Sequence, residues 1–222
     1  MNEPSSTINT YLPPIREVFL SCADSSFILI SDEKLGSTWN NPSVCKEMNV
    51  GELASHLCRG FTQVETYLDA EEPDSQTISA GDYYSRFERL SDITSELNKA
   101  VRSRSREMAS KGWEQLVKDA GDCLNRLGTR LESESPSRKV KVAGDSVMTL
   151  DQYLLTRIVE LTVHIDDLAL SLDVDPPGFA PEAYILAIGT LIQCSSVIHG
   201  SKKVLQALSR PERTTPEILR IF

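Results

Sequence analysis

The stretch TRIVELTVHIDDLALSL, residues 156–172, constrains the fold more than any other part of the chain. It lacks Pro and Gly, and Ile158, Val159, Leu161, Val163, Ile165, Leu168, Ala169 and Leu170 cover most of a helix wheel. A helix that is apolar nearly all round is buried. One polar line interrupts it: Arg157, Glu160, His164 and Asp167, flanked by Ser171. At about 100° per residue, Glu160, His164 and Asp167 fall within roughly 60° of one another. Such a seam faces either a thin strip of solvent or the inside of a helical bundle. Inside a bundle, bare charges are costly unless they pair or hold a metal.

The rest of the chain supplies bundle partners. IREVFLSCADSSFILIS, residues 15–31, has apolar residues at helical spacing. Asn-Asn-Pro breaks the chain in TWNNPSVCKEMN, and a second helix opens at Asn49, an N-cap with Glu52 three residues on. Residues 82–134 read as helix, broken or kinked around Asp92–Asn98 or at Lys111-Gly112. KVKVAGDSVM alternates as a small hairpin does, Thr149 opens the seam helix, and Pro181 opens a last helix that breaks at Gly200. The expected architecture is all-α: an antiparallel four-helix bundle over residues 15–175, preceded by a flexible N-terminus (1–14). An additional C-terminal helix and tail (176–222) would pack on it, with RPERTTPEILRIF as a strap.

Composition excludes several classes. With 32 acidic against 23 basic residues the formal net charge is −9, unsuited to nucleic acid. The basic cluster VRSRSREMASK has no interleaved aromatics and reads as a solvated helix face. No apolar run is expected to span a bilayer, and the polar, proline-broken start is not a secretory signal. Cys22, Cys45, Cys58, Cys123 and Cys194 are scattered, odd in number and free of any C-x-x-C pair. They read as reduced thiols in a cytoplasmic protein and as poor zinc ligands.

The chemistry rests on histidines, of which there are three. Glu160 and His164, four apart, can converge on one ion, and zinc accepts both donor types while three protein ligands leave a fourth position open. His56, in VGELASHL, lies close to the apolar face marked by Val50, Leu53 and Leu57 and could meet that pair. His199, beside Gly200, reads as a helix-end residue. Asp167 could orient an imidazole or pair with Arg157. The plainer alternative is a solvated ion pair with structural histidines.

TWNNPSVCKEMNVGELASHL resembles the first signature of the N-terminal, metal-binding domain of mycothiol-dependent maleylpyruvate isomerases: a Trp, a Pro-Ser, then Val-Gly-x-Leu-Ala-x-His-Leu. TLDQYLLTRIVELTVHIDDLA resembles the second, an Arg followed by Glu-x-x-x-His-x-x-Asp. The resemblance covers about residues 10–175 and implies a DinB-like helical bundle. It also implies a divalent metal, usually zinc, on His56, Glu160 and His164, and mycothiol as the thiol that is activated for attack on an electrophilic carbon. The isomerase's separate C-terminal domain contributes substrate contacts, and Arg210, Arg213 and Arg220 match no family residue, so maleylpyruvate itself is not implied.

Three functions follow: a zinc-dependent thiol transferase or isomerase acting on small molecules, a non-enzymatic metal-binding bundle with a partner-binding or regulatory role, and a metal-free bundle. Neither nucleic acid nor membrane is expected as a partner. A homodimer stays open because DinB-like bundles often pair, although no exposed apolar stripe is evident.

Overall fold

The computed structural model describes residues 14–86, 94–210, 212 and 216–221. The expected N-terminal appendage (1–14) lies outside the described residues except for Pro14. The helices are α1 (Ile15–Ile30), α2 (Glu33–Thr38), α3 (Val50–Asp69), α4 (Ala80–Ser85), α5 (Glu96–Ala109), α6 (Trp113–Ser133), α7 (Leu150–Leu172), α8 (Pro181–His199) and α9 (Ser201–Ser209). The protein is an all-α helical bundle with a two-stranded hairpin. In it α1, α6, α3 and α7 form a four-cornered ring, with α6 and α7 on opposite corners.

The helical reading of residues 82–134, with a break around Asp92–Asn98 or at Lys111-Gly112, resolves into α4, α5 and α6. One break falls at Gly112, whose φ of 85° starts a new helix, and another lies between α4 and α5, partly outside the described residues. The KVKV and SVMT segments pair as β1 (Lys139–Val142) and β2 (Ser146–Thr149), antiparallel with Val140 opposite Met148. Those two side chains join the core from beneath the start of α7.

Two indoles rest on glycines. A Cβ on Gly51 would lie 2.5 Å from the Trp39 ring, and one on Gly36 would lie 2.4 Å from Trp113. The Trp113 indole N–H is held by the Ile30 carbonyl at 2.9 Å. At the other end of α1, Arg16 bonds Asp151 at 2.8 Å and the Leu131 and Glu134 carbonyls at 2.6 and 2.8 Å. It thereby ties α1 to the end of α6 and the start of α7, and satisfies carbonyls that a helix end leaves bare. Arg16→Ala is expected to lower unfolding free energy by about 2 kcal/mol, read from urea denaturation.

The C-terminal part departs from expectation in two ways. α8 packs on α4, α7 and α1; its other face exposes Tyr184, Ile185 and Ile188, and Val197 and Ile198 are exposed near its end, apolar exposure that the sequence reading did not anticipate. α8 is also long and apolar enough to cross a membrane by length and composition, although one side of it packs on the bundle. Thr190, Gln193, Ser195 and Ser196 interrupt its apolar run without adding charge, which hid that length. Beyond Gly200 (φ 89°) the chain continues into α9. The tail returns over α8, where the Ser195 hydroxyl bonds the Ile218 carbonyl and Ile221 packs against the core.

Candidate metal centre

The first signature is built to start α3 accurately. The backbone N–H groups of Val50 and Gly51 donate to the Asn41 and Trp39 carbonyls at 2.9 and 2.8 Å. Glu52 N–H donates to Asn49 Oδ1 at 2.8 Å, and Glu52 reaches back to the Asn49 N–H in a capping box. Three donors that a helix start leaves bare are thereby satisfied. The Trp-Asn-Asn turn, the Val-Gly pair and Glu52 are therefore one structural device, and His56 stands a little over one turn inside it.

Opposite His56 runs the polar seam of α7. The Nε2 atoms of His56 and of His164 each lie 3.5 Å from the same oxygen, Glu160 Oε2. The two imidazoles meet edge to face, with centroids 4.6 Å apart. One donor atom from each of the three residues falls within 4.8 Å of the other two. On its far side His164 Nδ1 is 2.9 Å from Asp167 Oδ2, which leaves Nε2 as the nitrogen offered to an ion. This donor set suits a divalent metal.

Two residues that sequence reasoning missed complete the surroundings. Tyr84, on α4, places its hydroxyl 3.0 Å from the Thr156 carbonyl and 3.1 Å from Glu160 Oε1, so its proton is shared and the carboxylate is oriented. Cys45 forms a second donor trio with His164 and Asp167, which corrects the expectation that every cysteine is a poor ligand. The loop that carries it is pinned to α7 by the Val44 N–H on Ser171 Oγ at 3.1 Å. Cysteine in Pro-Ser-Val-Cys was the available signal, but spacing alone did not connect it to a helix more than a hundred residues away.

Charge states follow the packing. Burial opposes a charged Glu160, yet hydrogen bonds from His164 and His56, and Arg157 nearby, hold its carboxyl well below the usual range. Burial lowers the pKa of His56, whose Nδ1 is buried without a hydrogen-bond partner. Burial would lower His164 too, but Asp167, Cys45 and Glu160 raise it well above its ordinary value. Arg157 does not pair with Asp167: its Nε lies 3.1 Å from Thr156 Oγ1, and its guanidinium stands 5.0 Å from the centroid of the Tyr153 ring. His199 closes α8 as expected of a helix-end residue.

Above the trio opens a cavity of about 650 Å³, walled by Tyr67, Tyr83, Tyr153 and Val101. Comparison with known families adds one match: the mycothiol maleylpyruvate isomerase N-terminal domain, over residues 33–169. The chain belongs to that family. The match runs from α2 into the last turns of α7, and so takes in both signatures, the three donors and the cavity wall; α8, α9 and the tail fall outside it. No match is found among curated proteins or among solved structures.

Proposed function

We propose that this mycothiol maleylpyruvate isomerase-like domain is a metal-dependent thiol transferase or isomerase, with zinc on His56, Glu160 and His164 and mycothiol as cosubstrate. The observation that carries the reading is the convergence of two imidazole Nε2 atoms on one carboxylate oxygen, each at 3.5 Å, beside an open cavity. A divalent ion held there with an open position lowers the pKa of a thiol, so that thiolate forms near neutral pH.

The chain's own residues supply the rest. Asp167 accepts from His164 Nδ1–H and fixes the tautomer and ring plane. Tyr84 holds Glu160 Oε1, so that Oε2 faces both histidines. The tyrosine wall excludes water from one side of the cavity and offers a surface on which an electrophile can be oriented. Tyr84→Phe keeps the aromatic packing and removes only the hydroxyl. It is expected to weaken metal affinity by about tenfold, measured by competition with a chromogenic chelator.

The direct test is metal content of the native chain and of His56→Ala and His164→Ala, purified without added metal. Near-stoichiometric metal in the native chain, absent from both variants, supports the reading; metal retained in both, or none in the native chain, sinks it. A second reading, a metal-binding bundle that serves a partner, draws on the exposed apolar face of α8. Cobalt substitution separates the two, because an added thiol should alter the cobalt absorption spectrum only if an open position can be reached.

A further inference from the structure

The cavity carries a charge pattern that the thiol chemistry does not use. Lys46, Arg59, Arg102, Arg104 and Arg157 line it, against one carboxylate, Glu160, which the histidines and Tyr84 already engage. This concentration of positive charge sits on a chain of formal net charge −9. Arg102 and Arg104 belong to the basic cluster that the sequence suggested was a solvated face. There α5 packs across α3, with Arg106 Nε on Glu52 Oε1 at 2.9 Å; Arg104 stays exposed and Arg102 half-buried, as a solvated face requires, and both border the cavity that Arg59 also lines.

Elsewhere in the fold arginines are matched by acids: Arg126 with Glu65, Arg130 with Glu134 and Arg138 with Glu72. Among the described residues no carboxylate pairs with Arg59, Arg102 or Arg104; Arg59 bonds only the neutral Gln63 Oε1, at 3.1 Å. Burial, followed by the like charge of Arg104, lowers the pKa of Arg59, and Arg157 acts in the same direction. Guanidinium groups that line one cavity without a counter-charge repel one another, and an oxyanion taken up there relieves that repulsion through charge-assisted hydrogen bonds.

We infer that Arg59, Arg102 and Arg104 form an oxyanion subsite that selects an electrophile bearing a carboxylate or phosphate group. Assigning the anion to the electrophile rests on the thiol-transfer reading, since the sugar part of mycothiol is uncharged and has no use for three guanidinium groups. The electrophile's anionic end would lie against α3 and α5 while its reactive carbon faces the His56–Glu160–His164 end of the cavity.

The test is calorimetric titration of the full chain, stripped of metal by chelation, with succinate and separately with inorganic phosphate. The native chain should bind at least one of them at a single site, more weakly as chloride rises. Arg59→Gln and Arg102→Gln should each weaken binding by about tenfold or more, whereas Lys111→Gln, outside the cavity, should not. Preference for succinate assigns a carboxylate, and preference for phosphate assigns a phosphate monoester. The inference falls if neither anion saturates the stripped native chain, or if both arginine variants bind as the native does. Because the stripped protein is titrated, a failed metal assay would overturn the thiol chemistry without altering this outcome.

Discussion

Gly51→Val is expected to lower the unfolding free energy by roughly 2–4 kcal/mol, a loss on the scale of severe overpacking. A Cβ at this position would lie 2.5 Å from the Trp39 ring, inside the distance at which carbon atoms repel, and valine adds two methyl groups beyond it. Relief by moving the ring would disturb the Trp39 carbonyl, which accepts the Gly51 N–H at 2.8 Å. The start of α3 would shift as well, and with it the position of His56 relative to Glu160. Urea denaturation with metal-free protein isolates the packing cost; a loss below about 1 kcal/mol would mean that the Trp39 loop is far softer than its hydrogen bonds imply.

The second large effect is the stability that metal binding adds. An ion that binds the folded chain alone, at a free concentration a thousandfold above its dissociation constant, stabilises it by about 4.1 kcal/mol. That increment should appear in the native chain as a higher midpoint of thermal unfolding in zinc than in chelator, and should vanish in His56→Ala. Cys45→Ser discriminates between the two donor trios that share His164. If His56, Glu160 and His164 hold the ion, the serine variant keeps most of the increment, because Asp167 still orients the imidazole. Loss of the increment in Cys45→Ser with retention in His56→Ala would move the metal to the other edge of the ring and overturn the assignment.

What was legible in the sequence follows from what periodicity can report. The α7 seam could be read because a buried helix leaves no solvent face to explain Glu160 and His164, and because Asn49 and Glu52 mark the start of α3 by a local bond pattern. His56 was reachable as the one other histidine near an inward helix face. Tyr84 was not, since its partners Thr156 and Glu160 lie more than seventy residues along the chain and only the packing of α4 brings them together. The arginines of α5 read correctly as solvent-facing, with Arg104 and Arg106 exposed, but that the helix borders the cavity was not legible, because the Arg106–Glu52 contact that orients it is tertiary. α8 was misjudged. Its apolar residues are too many for its neighbours to cover, and sequence alone does not count neighbours.

The helix that bears Glu160 and His164 is also a central element of the core, with Leu154, Ile158, Val159, Leu161, Ile165 and Leu168 all fully buried on it. Its backbone amides can therefore meet solvent deuterium only when the bundle opens as a whole. An ion at His164 should then slow exchange across the length of α7 by one common factor, set by its binding free energy. The tip of the β1–β2 hairpin, exposed at Gly144 and Asp145, should exchange at a rate indifferent to metal.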